Sequence, residues 1–195
     1  MAAITDSTQL SPRDGPGPPL SSKGGQRLGS KIQIGVIGEG VCSKRTAALA
    51  RRVGAAIARA GGRLLSGGRG GVMEAASRGA AEAGGLVVGI LPGFSRRDAN
   101  RWVTVPIVTG MDQARNVILV RSCDALIAVG GMYGTLSEIA LALKLGKPIV
   151  GLGTWRLRQP EGRRVPIIRA NTPEQAVARA IRAARTTRGA RTRLF

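Results

Sequence analysis

Short apolar segments alternate along the chain with longer segments whose apolar residues recur at helical spacing. In residues 44–60, Leu49, Val53 and Ile57 lie four positions apart and would share one face of a helix. Runs such as ALIAV at residues 125–129 are apolar throughout, which is typical of strands buried on both faces. The pattern predicts strands at residues 32–37, 63–65, 86–91, 103–108, 125–129 and 148–152. It predicts helices at residues 44–60, 71–83, 111–122, 135–145 and 172–185.

This alternation of strands and helices indicates a fold class. Strands that are apolar on both faces and separated by helices imply a parallel sheet covered by helices on two sides. We therefore predict an α/β fold in a single domain, with a doubly wound, mostly parallel sheet of the Rossmann-like kind. The order of the strands cannot be read from the sequence. Ligands of such sheets bind at the carboxyl ends of the strands, so the loops that follow the strands are the candidate functional segments.

The two ends of the chain differ in composition from its centre. Residues 1–30 are rich in Gly, Pro and Ser, lack hydrophobic periodicity, and are predicted to form a disordered leader. Residues 31–185 form the predicted Rossmann-like domain that binds a nucleotide or cofactor. Residues 186–195 are predicted to be a basic, flexible tail. The length of 195 residues suits one domain with a substantial core.

Composition excludes several kinds of chemistry. The chain has no histidine, which excludes Ser-His-Asp and Cys-His mechanisms, and its two cysteines form no CxxC pair, so we expect no zinc or other metal site. No apolar run approaches the roughly 18 to 20 residues that span a bilayer. The N-terminus also lacks the apolar segment of a secretory signal. We predict a cytoplasmic protein without a membrane partner.

The chain is strongly basic. It carries 30 Lys and Arg against 11 Asp and Glu, a formal net charge of +19, and residues 155–195 alone hold eleven Arg and two Glu. Such an end can bind nucleic acid, or it can be a solvated surface in an arginine-rich protein. No nucleic-acid recognition motif accompanies the charge. A nucleic-acid partner therefore stays a minor alternative.

Two predicted strands end in glycine-rich loops that suit a phosphate. Residues 64–76 read LLSGGRGGVMEAA, and residues 124–140 read DALIAVGGMYGTLSEIA. Glycine lets the backbone approach a ligand closely, and a following helix directs its N–H groups and the positive end of its dipole at an anion. The residues predicted to contact a ligand in these loops are Gly67, Gly68, Gly70, Gly71 and Met73, and Gly130, Gly131, Tyr133, Gly134, Thr135 and Glu138.

Three details of these loops stay open. Thr135 and Glu138 have the spacing of a capping box, so Glu138 either ties off the helix or faces the ligand. Tyr133 either stacks on a heterocycle or packs over the loop. After the first strand, Gly38-Glu39-Gly40 lacks the third glycine of a dinucleotide motif, and Glu39 would repel a pyrophosphate. We interpret that segment as a tight turn in which Gly38 borders the pocket.

Another helix supplies a candidate cation. Arg115 and Asn116 lie in the first turns of the helix predicted at residues 111–122, and Arg115 could bind a phosphorylated ligand bidentately. A carboxylate beside it, Glu138, could stabilise an oxocarbenium-like centre during N-glycosidic cleavage of a phosphorylated sugar.

These residues resemble the LOG, or "lysine decarboxylase-like", Rossmann superfamily, whose signature is PGGxGTxxE with an upstream GGGxxGxMG loop. The resemblance covers about residues 32–183 and implies that Arg115 and Glu138, 23 positions apart, match the catalytic Arg and Glu of phosphoribohydrolases. Gly130 and Met132 depart from the signature, as do Ser66 and Glu74 upstream. These variants resemble a sister branch, the molybdenum cofactor carrier proteins. Nothing marks a lysine for pyridoxal phosphate, so we expect neither PLP nor lysine decarboxylation.

The leading hypothesis is a carrier-like protein that binds a phosphorylated heterocycle, either the molybdenum cofactor (molybdopterin) or a nucleoside monophosphate. The alternative is a phosphoribohydrolase that splits AMP or a cytokinin riboside monophosphate with Glu138 and Arg115. A third hypothesis is a nucleic-acid-associated basic protein. The resemblance also implies a homo-oligomer, a dimer or a tetramer.

Overall fold

A computed structural model describes residues 31–192 and the side chains of residues 31–187. It has seven parallel strands in one sheet with helices on both faces, which confirms the predicted α/β, Rossmann-like fold. The strands are β1 (Gln33–Gly38), β2 (Arg63–Ser66), β3 (Val87–Leu91), β4 (Val105–Val108), β5 (Ala125–Val129), β6 (Ile149–Leu152) and β7 (Ile168–Ala170). The helices are α1 (Lys44–Arg59), α2 (Val72–Glu82), α3 (Arg115–Ser122), α4 (Tyr133–Lys144) and α5 (Pro173–Thr192). The predicted leader at residues 1–30 lies outside the described residues.

The order of strands places a crevice at the centre of the sheet. The order is β4-β3-β2-β1-β5-β6-β7, and every neighbouring pair is parallel. From β1, the chain adds β2, β3 and β4 toward one edge of the sheet. From β5, it adds β6 and β7 toward the other edge. The loops that follow β1 and β5 diverge to opposite faces of the sheet, which opens a ligand-binding crevice between them.

Two hydrophobic clusters hold the helices on the sheet. In β5, Ile127 and Val129 face the cluster that includes α1, α2 and α5, whereas Leu126 faces the cluster that includes α3 and α4. This alternation follows from the two-residue period of a strand and explains why β5 is buried at all five positions. The core fixes the starts of α3 and α4 on one side of the crevice and the start of α1 on the other.

Helices α1 and α2 pack closely because glycines meet the backbone across their contact. A side chain at Gly54 would collide with the carbonyl of Ala76, and one at Gly79 would collide with the carbonyl of Arg51. Both glycines lie inside helices, where glycine is otherwise unfavourable by about 1 kcal/mol relative to alanine. Their presence is explained by packing, which sets the position of α2 and of the glycine loop before it.

The structure differs from the sequence prediction at a few elements. The helix predicted at residues 111–122 begins with a 3₁₀ turn at Asp112–Ala114, and α3 follows. Strand β7 was not predicted, because it has three residues at the edge of the sheet and only Ala170 is buried. Helix α5 continues to Thr192, beyond the predicted end at residue 185. In the described residues, no helix is long and apolar enough to cross a membrane.

Candidate functional site

A cavity of about 680 Å³ opens at the carboxyl ends of the central strands, between the loops that follow β1, β2 and β5. Its volume lies in the range typical of small-molecule sites, about 300 to 1,000 Å³. Residues from α3 and α4 complete one wall, and Ser43 at the start of α1 completes another. The sequence-predicted residues that line this cavity are Gly38, Gly67, Met73, Arg115, Asn116, Gly134, Thr135 and Glu138.

Hydrogen bonds join the loops into one frame. The N–H of Val72 donates to the carbonyl of Glu39 (3.0 Å), which ties the loop after β2 to the loop after β1. The side-chain amide of Asn100 donates to the carbonyls of Gly68 (3.0 Å) and Arg69 (2.9 Å). The backbone N–H of Asn100 also donates to Gly68 (2.8 Å). The glycine loop after β2 is therefore held from outside by Asn100.

The start of α4 presents unpaired backbone donors to the cavity. Its first internal bond runs from the N–H of Leu136 to the carbonyl of Met132 (3.0 Å), so the N–H groups of residues 133–135 point out of the helix end. Met132 is the N-cap and makes no side-chain capping bond. The capping-box interpretation of Thr135 and Glu138 is therefore wrong: Thr135 lies inside the first turn. These donors and the helix dipole favour an anion at this position.

Arg115 and Glu138 form a buried, loose ion pair at the cavity. The Nη1 atom of Arg115 lies 3.6 Å from Oε1 of Glu138, beyond hydrogen-bond distance, and the two residues are only 8% and 7% exposed. Within the described part of the chain, Nε and Nη1 of Arg115 are buried without a hydrogen-bond partner. A buried cation with unsatisfied donors is costly unless a further acceptor binds it. The arrangement therefore suits an anionic ligand at Arg115.

Burial governs the protonation of this pair. It raises the pKa of the Glu138 carboxyl from 4.5 to about 7, and the positive charge of Arg115 opposes that rise. Burial also lowers the pKa of Arg115, an effect that the charge of Glu138 counteracts. The arginine remains a cation, because guanidinium keeps its proton in proteins. Glu138 can therefore bind or release a proton near neutral pH.

The glycine at position 67 makes room for Arg115. A Cβ atom built there would lie 2.5 Å from Nη2 of Arg115 and 2.7 Å from the sulfur of Met73. Any side chain at this position would displace the guanidinium from the cavity. Gly67 thus leaves room for Arg115 and also lines the cavity, and its contact with a ligand stays a prediction.

Glu39 occupies part of the glycine loop after β5. Its Oε2 accepts a hydrogen bond from the N–H of Gly131 (3.2 Å), and both Gly130 and Gly131 have positive φ angles, 58° and 119°. These conformations favour glycine, and they turn the loop toward Glu39. The carboxylate stands where an incoming phosphate would compete for the same N–H group.

The remaining predicted residues lie around the cavity rather than on its lining. Gly68 and Gly71 have positive φ angles, and Gly70 and Gly71 pack against Gly40 of the loop after β1. Tyr133 is 76% exposed, and its ring lies 6.1 Å from the ring of Trp155, so it extends toward the loop after β6. These residues shape the loops, and the structure does not bring them together as one binding surface.

Sequence analysis missed several residues that line the cavity. They come from the turn after β1, from the 3₁₀ turn before α3 and from the loop after β5: Glu39, Gly40, Val41, Cys42, Ser43, Gln113 and Met132. The order of strands was needed to find them, because only the pairing of β1 with β5 places these turns beside each other. Met132, which interrupts the glycine signature, is 61% exposed at the mouth.

Comparison with known proteins identifies relatives of this chain. An uncharacterized protein from Archaeoglobus fulgidus is 51% identical over 150 residues, which is 75% of this chain and 92% of that protein. The molybdenum cofactor binding protein of Rippkaea orientalis is 40% identical, with a TM-score of 0.71 over 78% of this chain and 96% of that one. The molybdenum cofactor carrier protein of Chlamydomonas reinhardtii is 38% identical, with a TM-score of 0.65 over 78% and 98%.

These matches confirm the resemblance to the LOG-type superfamily and to its molybdenum cofactor carrier branch. A family model described as the SLOG cluster4 family matches residues 31–177, and the chain belongs to that family.

Proposed function

We propose that this protein binds a phosphorylated heterocycle of the molybdopterin kind in the 680 Å³ cavity and carries it without turnover. The solved relatives at 38–40% identity are described as binding or carrying the molybdenum cofactor, which supports this ligand class. In this proposal the phosphate lies on the N–H groups at the start of α4, and the heterocycle extends toward the turn after β1. The ligand is cargo, bound by the protein's own backbone and side chains.

The observation that carries the proposal is the unsatisfied guanidinium of Arg115. Its Nε and Nη1 atoms lack hydrogen-bond partners among the described residues, and the carboxylate of Glu138 lies 3.6 Å from Nη1. A phosphate oxygen would supply the missing acceptor, and a bidentate contact would satisfy two donors together. Asn116 follows it on α3 with a buried, unpaired Oδ1, which could accept from a ligand N–H group.

The test uses the full chain and molybdenum cofactor released from a molybdenum enzyme. Protein and cofactor are mixed without oxygen and separated by gel filtration, and the pterin that elutes with the protein is oxidised and measured by fluorescence. We expect saturable retention that falls at least about tenfold in Arg115→Ala. The exposed Arg121→Ala on the same helix is the matched control and should retain the cofactor. Equal retention by both variants would contradict the proposal.

One observation favours the phosphoribohydrolase as a second candidate. The pKa of Glu138 is about 7, so part of the population is ionised at neutral pH beside a cation that could hold a phosphorylated sugar. Incubation with AMP or a cytokinin riboside monophosphate and chromatography for free base would test it. Base release that disappears in Glu138→Gln would establish hydrolysis and overturn the carrier proposal.

Two further proposals concern the oligomeric state and the location of this protein. We propose a homo-oligomer, a dimer or a tetramer, which light scattering of the purified protein would test. We also propose a cytoplasmic location, which cell fractionation would test. A monomer at micromolar concentration would refute the first proposal without affecting ligand binding.

A further inference from the structure

A second cavity, of about 640 Å³, lies at the carboxyl ends of β6 and β7, on the other side of the start of α1 from the first cavity. Arginine dominates its charge. Among the described residues, no Asp or Glu lines it, and five arginines do: Arg45, Arg156, Arg158, Arg164 and Arg169. We call this feature the arginine cavity.

The arginines of this cavity have no carboxylate partner in the part of the chain that the structure describes. Within residues 31–187, no ion pair involves any of the five. Their hydrogen bonds to the protein are long, 3.4 Å from Arg169 to the carbonyl of Thr154 and 3.4 Å from Arg158 to the carbonyl of Gly162. Elsewhere on the surface, Arg51, Arg52 and Arg78 are each paired with a glutamate. The arginine cavity therefore concentrates positive charge that the fold leaves uncompensated.

The backbone brings two of these charges together. Residues 157–165 form a small hairpin in which Arg158 and Arg164 pair as an antiparallel bridge. Bonds from Gln159 to Arg163 (2.9 Å) and from Val165 to Leu157 (3.4 Å) close it. Side chains directly opposite in such a pair point to the same face, and like charges there are destabilising. An anion between Arg158 and Arg164 would attract both guanidinium groups and offset their mutual repulsion.

Two further observations favour an anionic ligand in this cavity. The hydroxyl oxygen of Thr154, which lines it, is buried without a hydrogen-bond partner among the described residues. Burial, and secondly the charge of Arg156, lowers the pKa of Arg169, as expected where cations converge. A ligand with several anionic oxygen atoms would give the Thr154 hydroxyl a partner, and its negative charge would stabilise the Arg169 cation.

We propose that the arginine cavity binds a compact oligophosphate, a chain of two or more phosphates that is either free or attached to a nucleoside. Arginines from the start of α1, the loop after β6, the hairpin and β7 converge on one concave volume, which suits several phosphates close together. A single strand of nucleic acid would instead need cations along an open track. This site is separate from the proposed cofactor cavity and does not depend on it.

Calorimetric titration of the full chain with inorganic triphosphate tests the proposal, at 0.15 M salt so that long-range attraction is screened. We expect triphosphate to bind at least about tenfold more tightly than monophosphate. We expect the double variant R158A/R164A to lower that affinity at least about tenfold, because it removes the paired arginines. The control R96A/R97A removes the same charge from the far half of the sheet and should change affinity less than about twofold.

Titrations with other ligands distinguish the possible outcomes. ATP and GTP that bind as tightly as triphosphate would show that the site reads only the phosphate chain, and tighter binding would identify a nucleotide; both support the proposal. Equal losses in the two double variants, or tighter binding of an oligothymidine strand than of triphosphate, would overturn it. The retention of molybdenum cofactor in R158A/R164A should equal that of the unmodified protein. If the protein does not bind the molybdenum cofactor, triphosphate binding to the arginine cavity can still be tested.

Discussion

The buried carboxyl of Glu138 makes the stability of the fold depend on pH. In the native state its pKa is about 7, against 4.5 for an unburied carboxyl, chiefly because of burial. A tenfold change in an ionisation constant corresponds to about 1.4 kcal/mol. Above pH 7, the ionised carboxylate of Glu138 therefore lowers the free energy of unfolding by about 3 kcal/mol.

The sign of the pH dependence follows from the order of the two pKa values. Below pH 4.5 the carboxyl is neutral in both states and contributes no difference. Between pH 4.5 and about 7 the unfolded chain releases its proton while the native state keeps it, so stability falls as pH rises. Above that range the loss is complete. Glu138→Gln removes the titrating group, and the variant should gain stability relative to the unmodified protein as pH rises.

Urea unfolding of both proteins at pH 5 and pH 8 measures this effect. We expect the free energy of unfolding of Glu138→Gln, relative to the unmodified protein, to increase by about 2 to 3 kcal/mol between the two pH values. Comparing the two pH values cancels contributions that do not titrate at position 138. Glu161→Gln makes the same chemical change at an exposed position and should show no such increase. A constant difference, or a variant that loses relative stability at pH 8, would refute the burial argument.

Three further predictions follow from the contacts around the two loops and between α1 and α2. Glu39→Gln keeps an oxygen that accepts from Gly131 but removes the negative charge, so AMP affinity measured by calorimetry should rise at least about threefold. Asn100→Ala removes the side-chain hydrogen bonds to the carbonyls of Gly68 and Arg69 but keeps the backbone bond to Gly68, so it should lower AMP affinity and cost about 1 kcal/mol of stability in urea. Gly79→Ala forces a methyl group against the carbonyl of Arg51 and should destabilise the fold by about 1 to 3 kcal/mol.

Each of these predictions has an outcome that would contradict it. An unchanged or lower AMP affinity in Glu39→Gln would mean that the carboxylate does not compete with the phosphate. Undiminished binding in Asn100→Ala would show that the glycine loop needs no external support. For Gly79→Ala the matched control is Gly134→Ala, a helical glycine with open space around it, which should not be destabilised. Equal stability of the two alanine variants would refute the packing argument.

Much of the fold could be predicted from the sequence because the strands are short, continuous and apolar. Strand β5 was located to the residue, since ALIAV is buried on both faces and bounded by Asp124 and Gly130. Strand β7 was not predicted, because an edge strand of three residues buries little apolar surface and shows no hydrophobic run in the sequence. The extension of α5 to Thr192 was not predicted either, because residues 186–192 include three Thr and one Gly, which are poor helix formers, and have no apolar periodicity.

The candidate site was predictable in part. Arg115 and Glu138 were identified because glycine loops and a carboxylate at the start of a helix follow recognisable patterns, and the structure places them 3.6 Å apart. Glu39 was judged only as a repulsive group, since its contact with Gly131 spans 92 positions and depends on the pairing of β1 with β5. The arginine cavity was likewise hidden, because the sequence shows four of its arginines within residues 156–169 but not that the fold makes them converge with Arg45.

A crystal structure of the full chain with AMP or molybdopterin soaked into it would test directly whether a phosphate binds between the glycine loops and Arg115. We expect phosphate density on the N–H groups of residues 133–135, with oxygen atoms within hydrogen-bond distance of the Arg115 guanidinium. Phosphate density elsewhere, with Arg115 still unpaired beside Glu138, would contradict it.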